Sequence, residues 1–126
     1  MTTTWTSADL DTIGNATELS ITTRRWDGTL RPTVPIWVVR VGDDLYVRSY
    51  RGPVGAWYRH AHTQASAHIR VGDIERDVSV TAPGPSLRGQ IDEAYRHKYS
   101  AHGRTYVAPM VADPAAATTL RLTPTD

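Results

Sequence analysis

Pro35-Ile36-Trp37-Val38-Val39-Arg40-Val41, then Gly42-Asp43-Asp44, then Leu45-Tyr46-Val47-Arg48-Ser49-Tyr50, is the stretch that decides the fold. Both arms are rich in β-branched and aromatic side chains, which suit a pleated, half-buried surface. A Gly-Asp-Asp turn between two such runs reads as a β-hairpin. Alternation places Leu45, Val47 and Ser49 on one face of the second arm and Tyr46, Arg48 and Tyr50 on the other. The first face suits a core, and the second suits a wet, hydrogen-bonding groove.

Working outward, Arg51-Gly52-Pro53-Val54-Gly55 breaks the strand and leads to a short helix from about Ala56 to Gln64. A second hairpin follows: Ala67–Val71, a turn at Gly72-Asp73, and Ile74–Val80. Its apolar residues alternate with polar ones, as expected for one buried face. On the N-terminal side, Glu18–Thr23 reads as a strand and Trp26-Asp27-Gly28-Thr29 as a turn. Ser7–Ile13 reads as a short helix capped by Thr6 or Ser7. Further on, Ser86 is positioned to cap a helix reaching about Ser100, whose Leu87, Ile91, Ala94, Tyr95 and Tyr99 form one stripe. Ala115–Thr119 reads equally as helix or loop, and Leu120–Thr123 as a last strand. Short antiparallel strands with helices at gaps and ends imply a small barrel or an α+β sheet, mainly β with three to four short helices.

The 126 residues fit one domain, 1–126. The chain has no cysteine, which excludes a disulfide framework, a thiolate metal site and a cysteine nucleophile. No apolar run approaches the ~20 residues of a membrane helix, and the N-terminal residues lack the plan of a signal peptide, so the expectation is a cytoplasmic protein. A net charge of +1 gives no global pull toward nucleic acid or membrane. The charge is uneven, however. Residues 24–60 hold seven arginines against three acids, and Lys98 is the only lysine in the chain. Guanidinium groups grip phosphate or carboxylate in two places, so this segment is a candidate anion site.

The chain carries no Gly-x-Ser-x-Gly, Walker loop or Gly-x-Gly-x-x-Gly, and its carboxylates are scattered. His60-x-His62 has poor spacing for a shared metal on a helix, so no metal site is expected. His68 alternates with apolar neighbours and is read as a structural histidine.

Arg24-Arg25-Trp26-Asp27-Gly28-Thr29-Leu30-Arg31, then Val34-Pro35-Ile36-Trp37, the hairpin over Gly42-Asp43-Asp44, Ala56-Trp57-Tyr58-Arg59 and His68-Ile69-Arg70-Val71 follow a familiar order. From roughly Glu18 to Val80 the chain resembles the deazaflavin-dependent nitroreductases, within the pyridoxamine-phosphate-oxidase-like split barrels. As a whole it also resembles a bacterial domain family of unknown function in that superfamily. The resemblance implies a split antiparallel β-barrel and a cofactor, FMN or a deazaflavin, laid across it. By position it assigns Arg24, Arg25 and Arg31 to a basic turn. Arg48, Ser49 and Arg51 fall at a strand end used against phosphate, and Trp57 and Tyr58 form an aromatic pair at a helix start. Asp27-Gly28 stands where that family usually has serine-glycine, and Trp37 is bulky for the strand that enters the barrel. The resemblance also implies a homodimer, for which Trp5, Trp26, Trp37 and Trp57 are contact candidates.

Three functions fit these readings. The first is an oxidoreductase passing a hydride to a small aromatic or conjugated molecule, where the cofactor carries the chemistry and no obligate catalytic side chain is needed. Tyr58 and Tyr46 are then the candidate proton donors. The second is a cofactor-free domain that binds another small molecule in the same groove. The third is an isomerase or cyclase using tyrosine and histidine as acid and base.

Overall fold

The structure, a computed structural model, describes residues 4–125. Its helices are α1 (Ser7–Asn15), α2 (Ala56–Gln64), α3 (Arg88–Tyr99), α4 (Arg104–Val111) and α5 (Asp113–Ala116). Its strands are β1 (Leu19–Thr22), β2 (Val34–Ile36), β3 (Val39–Val41), β4 (Asp44–Val47), β5 (Ser66–Val71), β6 (Ile74–Thr81) and β7 (Leu120–Pro124). All seven strands join one antiparallel sheet in the order β2-β1-β5-β6-β7-β4-β3.

That order makes the sheet a barrel with one seam. β2 and β3 are its two edges, yet only Trp37 and Val38 separate them in the chain. Three peptide steps span at most about 11 Å, so the sheet must curl until its edges come close. The arm Pro35–Val41, expected as one strand, is therefore split at Trp37-Val38. The physical reason is that Val38 makes its hydrogen bonds to α3. The Tyr99 hydroxyl accepts from Val38 N at 3.1 Å and donates to Thr17 O at 2.7 Å. Lys98 Nζ donates to Val38 O at 2.6 Å. Side chains thus satisfy backbone groups that the broken ladder leaves free.

The hairpins stand as expected, with two-residue turns at Gly42-Asp43 and Gly72-Asp73. Gly42 takes a φ of 63°, which this tight reversal favours and glycine supplies without strain.

Two apolar clusters form. One fills the barrel and includes Leu19, Ile21, Leu45, Val47, Ile69, Val80 and Leu122, with Leu10 and Ile13 of α1. Trp5 joins it and donates through its indole N–H to Leu122 O at 2.9 Å. The other packs α3 and α4 against the outside of β3 and β4: Val39, Tyr46, Ile91, Tyr95, Tyr99, Val107 and Met110. β4 is therefore buried on both faces. This corrects the expectation of a wet face at Tyr46, Arg48 and Tyr50, since Tyr46 and Arg48 are each 1% exposed and only Tyr50 is open, at 57%.

The helices differ in detail from the sequence reading. Thr6 caps α1 by accepting from Asp9 N at 3.1 Å. Ser86 caps nothing, because a 3-10 turn over Pro85–Leu87 precedes α3. α4 had no counterpart in the sequence reading, and α5 makes helix of the start of the ambiguous Ala115–Thr119 stretch. Among the described residues there are five α-helices where three to four were expected.

Candidate functional site

A cavity of about 480 Å³ combines aromatic walls with polar groups. Small-molecule sites fall between roughly 300 and 1,000 Å³. One wall is β2 and its exit, Val34 to Trp37. A second is the chain leaving β4, Arg48 to Arg51. Gly55, Ala56 and Trp57 at the start of α2 form a third, and Tyr106 and Met110 of α4 close it. Glu18 is the one carboxylate on its lining.

The start of α2 gives this cavity its polarity. Gly55 is the N-cap, and no side chain caps the helix. The first-turn N–H groups of a helix lack intrahelical partners and carry partial positive charge. Ser49 is buried beside them. Its Oγ packs so closely on Gly55 that a Cβ there would overlap it. Ser49 N donates to Thr118 Oγ1 at 2.8 Å, and Ser49 O accepts from Gly52 N at 2.9 Å, so the turn into α2 is fixed at both ends. Arg51 is exposed at the same rim, with no ion pair among the described residues. A hydroxyl, an unpaired guanidinium and an open helix N-terminus make a cradle suited to an anionic group.

The aromatic wall is equally specific. Trp37 stacks on Tyr99 with centroids 3.8 Å apart and planes within 1°. Its indole is thereby pinned to the wall and leaves the volume open. Trp57 meets Tyr58 edge-on at 6.3 Å. Tyr50 and Tyr106 are 57% and 58% exposed at the mouth.

The residues singled out from the sequence separate into three places. Ser49, Arg51 and Trp57 line the cavity together, with Tyr58 half-buried next to Trp57. Arg48 contributes to the lining, but its side chain is wholly buried. It donates to Asp92 Oδ1 at 2.6 Å, Met110 O at 2.9 Å and Thr119 Oγ1 at 2.9 Å, and lies 5.3 Å from the Tyr95 ring centre. Asp92 also meets Arg88 at 3.4 Å, and Arg88 meets Asp113 at 2.8 Å. Arg48 thus anchors α3 and α4 to the barrel. Tyr46 is in the same layer, its hydroxyl accepting from Arg121 at 3.1 Å.

Arg24, Arg25 and Arg31 lie outside the cavity, on the β1–β2 connection. Arg24 donates to Gly28 O at 3.3 Å and Arg25 to Leu30 O at 2.8 Å. Arg31 donates to Thr23 Oγ1 at 3.4 Å and also to Arg24 O. Asp27 braces this turn. Hydrogen bonds from the Thr29 hydroxyl, at 2.7 Å, and from Thr29 N, at 3.0 Å, hold its carboxyl below the usual range. Among the described residues no three histidine, cysteine or acidic side chains gather into a metal-binding group. Sequence reasoning did not place Tyr106 or Met110 in the site because α4 itself was missed. A stronger signal was available in the Val107–Met110 spacing, which places two apolar residues on one helical face.

No curated protein matches the chain. Solved structures do match in fold. An F420 reductase is 16% identical with a TM-score of 0.55, covering 93% of each chain. The heme storage protein HutZ from Vibrio cholerae is 10% identical with a TM-score of 0.63, covering 95% of this chain and 90% of that one. An FAD-binding protein from Mesorhizobium loti is 14% identical with a TM-score of 0.55, covering 96% and 89%. The fold is the split barrel of the pyridoxamine-phosphate-oxidase type. Residues 9–122 match the bacterial family described as an uncharacterized conserved protein, DUF2255, and the chain belongs to that family.

Proposed function

We propose that the 480 Å³ cavity holds a flavin-type cofactor, FMN or a deazaflavin, and that the protein is an oxidoreductase acting on a small aromatic or conjugated molecule. One observation carries this reading. The uncapped start of α2, Ser49 Oγ and Arg51 stand on a cavity whose lining also carries the aromatic rings of Trp37, Trp57 and Tyr106. That arrangement suits a ligand with an anionic tail and a flat ring.

The residues present fit such a group. Ser49, Arg51 and the α2 N–H groups would hold the phosphate, and Trp37 and Trp57 would bound the ring. The group itself supplies hydride chemistry when bound. The chain supplies position and exclusion of water: Trp37 is fixed by its stack on Tyr99, and Met110 closes the inner end. Arg48 ties the frame together through Asp92 and also stands on the cavity lining, where its Nη2 is buried without a partner among the described residues. Neither candidate proton donor lines the cavity: Tyr46 lies in the helical layer, and Tyr58 packs against the barrel core next to Trp57.

Four other cavities among the described residues lack this pairing of aromatic and cationic groups, which favours the flavin reading over a cofactor-free isomerase or cyclase. We also propose a homodimer. Trp26 and Leu30 on the β1–β2 connection are 96% and 54% exposed, Tyr50 and Tyr106 are open on the cavity lining, and Val54 is exposed on the turn into α2. Large exposed apolar groups of this kind mark contact surfaces. Gel filtration at monomer mass, 13.9 kDa, would count against the dimer. Titration of the protein with FMN and with a deazaflavin, followed by tryptophan fluorescence, tests the cofactor. Saturable quenching weakened by Arg51→Ala supports it, and indifference to both removes it in favour of a cofactor-free binding domain.

A further inference from the structure

Lys98, the only lysine, lies on α3 beside Tyr99. Its half-buried amine donates to Val38 O at 2.6 Å and lies 5.1 Å from the Tyr99 ring centre. It opens onto a second cavity, of about 490 Å³, between α1, β3 and α3. The charged and titratable groups of that cavity are Asp11 from α1, Arg40 from β3 and His97 from α3. Asp11 and Arg40 are paired with each other at 2.8 Å. Among the described residues no carboxylate pairs with Lys98.

A half-buried ammonium without a counter-ion is disfavoured relative to the free amine. Burial lowers the Lys98 ammonium from 10.5 to about 8. The amine therefore has nucleophilic character near neutral pH, and the cavity beside it leaves room for a small substituent.

We propose that Lys98 is a covalent modification site, whose amine takes a small acyl group from an activated donor of the acyl-phosphate class and lodges it in the cavity between α1 and α3. The nitrogen lone pair attacks the acyl carbon, the bond from that carbon to the phosphate oxygen breaks, and phosphate leaves with the electron pair. The amine proton goes to solvent, and no redox partner is required. The product is a neutral amide. It removes the cation from the Tyr99 ring and disturbs the donor on Val38 O, next to Trp37 in the wall of the first cavity.

The test exposes the full chain to acetyl phosphate between about pH 6.5 and about pH 10, alongside an unstructured lysine peptide, with the acetylated position read by peptide mass spectrometry. Lys98 is expected to react on the order of tenfold faster than the peptide near pH 7.5, and its rate to level off above about pH 8. The advantage disappears when the chain is unfolded in urea. A Lys98 rate at or below that of the peptide, or one that climbs toward pH 10 as the peptide's does, overturns the proposal.

Discussion

The indole of Trp37 lies flat on the ring of Tyr99, with centroids 3.8 Å apart, and this stack sits at the seam of the barrel. Trp37 and Val38 carry the chain from one sheet edge to the other, and Tyr99 reaches from α3 to hold the crossing. One residue thus closes the seam with its hydroxyl and supports the cavity wall with its ring. Burial pushes the Tyr99 hydroxyl up to about 12, so it remains a neutral donor and acceptor throughout the ordinary pH range.

Tyr99→Phe keeps the ring and deletes the hydroxyl. The fully buried Val38 then has an N–H without its acceptor. A buried group left unpaired costs about 1–3 kcal/mol. Urea unfolding should show a loss in that range, and an unchanged midpoint would mean that the seam does not depend on this bond.

Asp92→Ala should destabilise more. It leaves Arg48 charged, with a wholly buried side chain, and also releases Arg88. Removing one partner of a buried pair costs about 3–5 kcal/mol. Replacing Arg48 by Met should cost less, because Asp92 is 9% exposed and keeps its contact with Arg88. The two unfolding curves compared side by side check the order.

Gly55→Ala forces a Cβ against Ser49 Oγ. Overpacking of this kind costs about 1–3 kcal/mol. Ser49→Ala in the same chain removes the oxygen and should recover part of the loss. A double-mutant cycle with a coupling below about 0.5 kcal/mol would show that the two residues do not share the space.

His68 sets a pH dependence. Its Nδ1 lies 2.9 Å from Asp77 and its Nε2 3.1 Å from Glu75 across the β5–β6 hairpin. Only the imidazolium can donate to both. The hydrogen bond to Asp77 is the main cause that raises its pKa above 6.5, and the bond to Glu75 adds to it. A raised folded-state value means that the stabilisation is complete below about pH 6.5 and is lost as pH rises through the folded value. An NMR titration should place the His68 midpoint above 6.5, and Asp77→Asn should lower it.

The elements that rest on local chemistry were legible in the sequence. Gly42-Asp43 and Gly72-Asp73 announce their turns, and the alternation from Ala67 to Val80 announces its buried face. What depends on distant partners was not. Nothing near Val38 indicates that Tyr99 and Lys98 will take its backbone groups and break the strand there. Nothing near Arg48 in the sequence indicates that its side chain will be buried, because the covering helices lie some forty to sixty residues further along the chain. α4 escaped notice because Pro109 stands inside it, and a proline gives up the amide hydrogen bond to the residue four earlier and so reads as a helix breaker. In the candidate site, Ser49, Arg51 and Trp57 were recognisable as polar and aromatic groups around glycines. Only the fold brought Tyr106 to the same cavity.

The most direct measurement is the binding isotherm of FMN, and of a deazaflavin, to the wild-type chain and to Arg51→Ala, read by tryptophan fluorescence. Arg51 is exposed and free of ion pairs among the described residues, so its removal should leave the fold intact. The account predicts saturable quenching by at least one of the two and an affinity weakened by about tenfold or more in the variant, the loss expected for one charge-assisted contact to phosphate. A wild-type protein that binds neither, or a variant that binds as tightly as wild type, would contradict the assignment of this cavity.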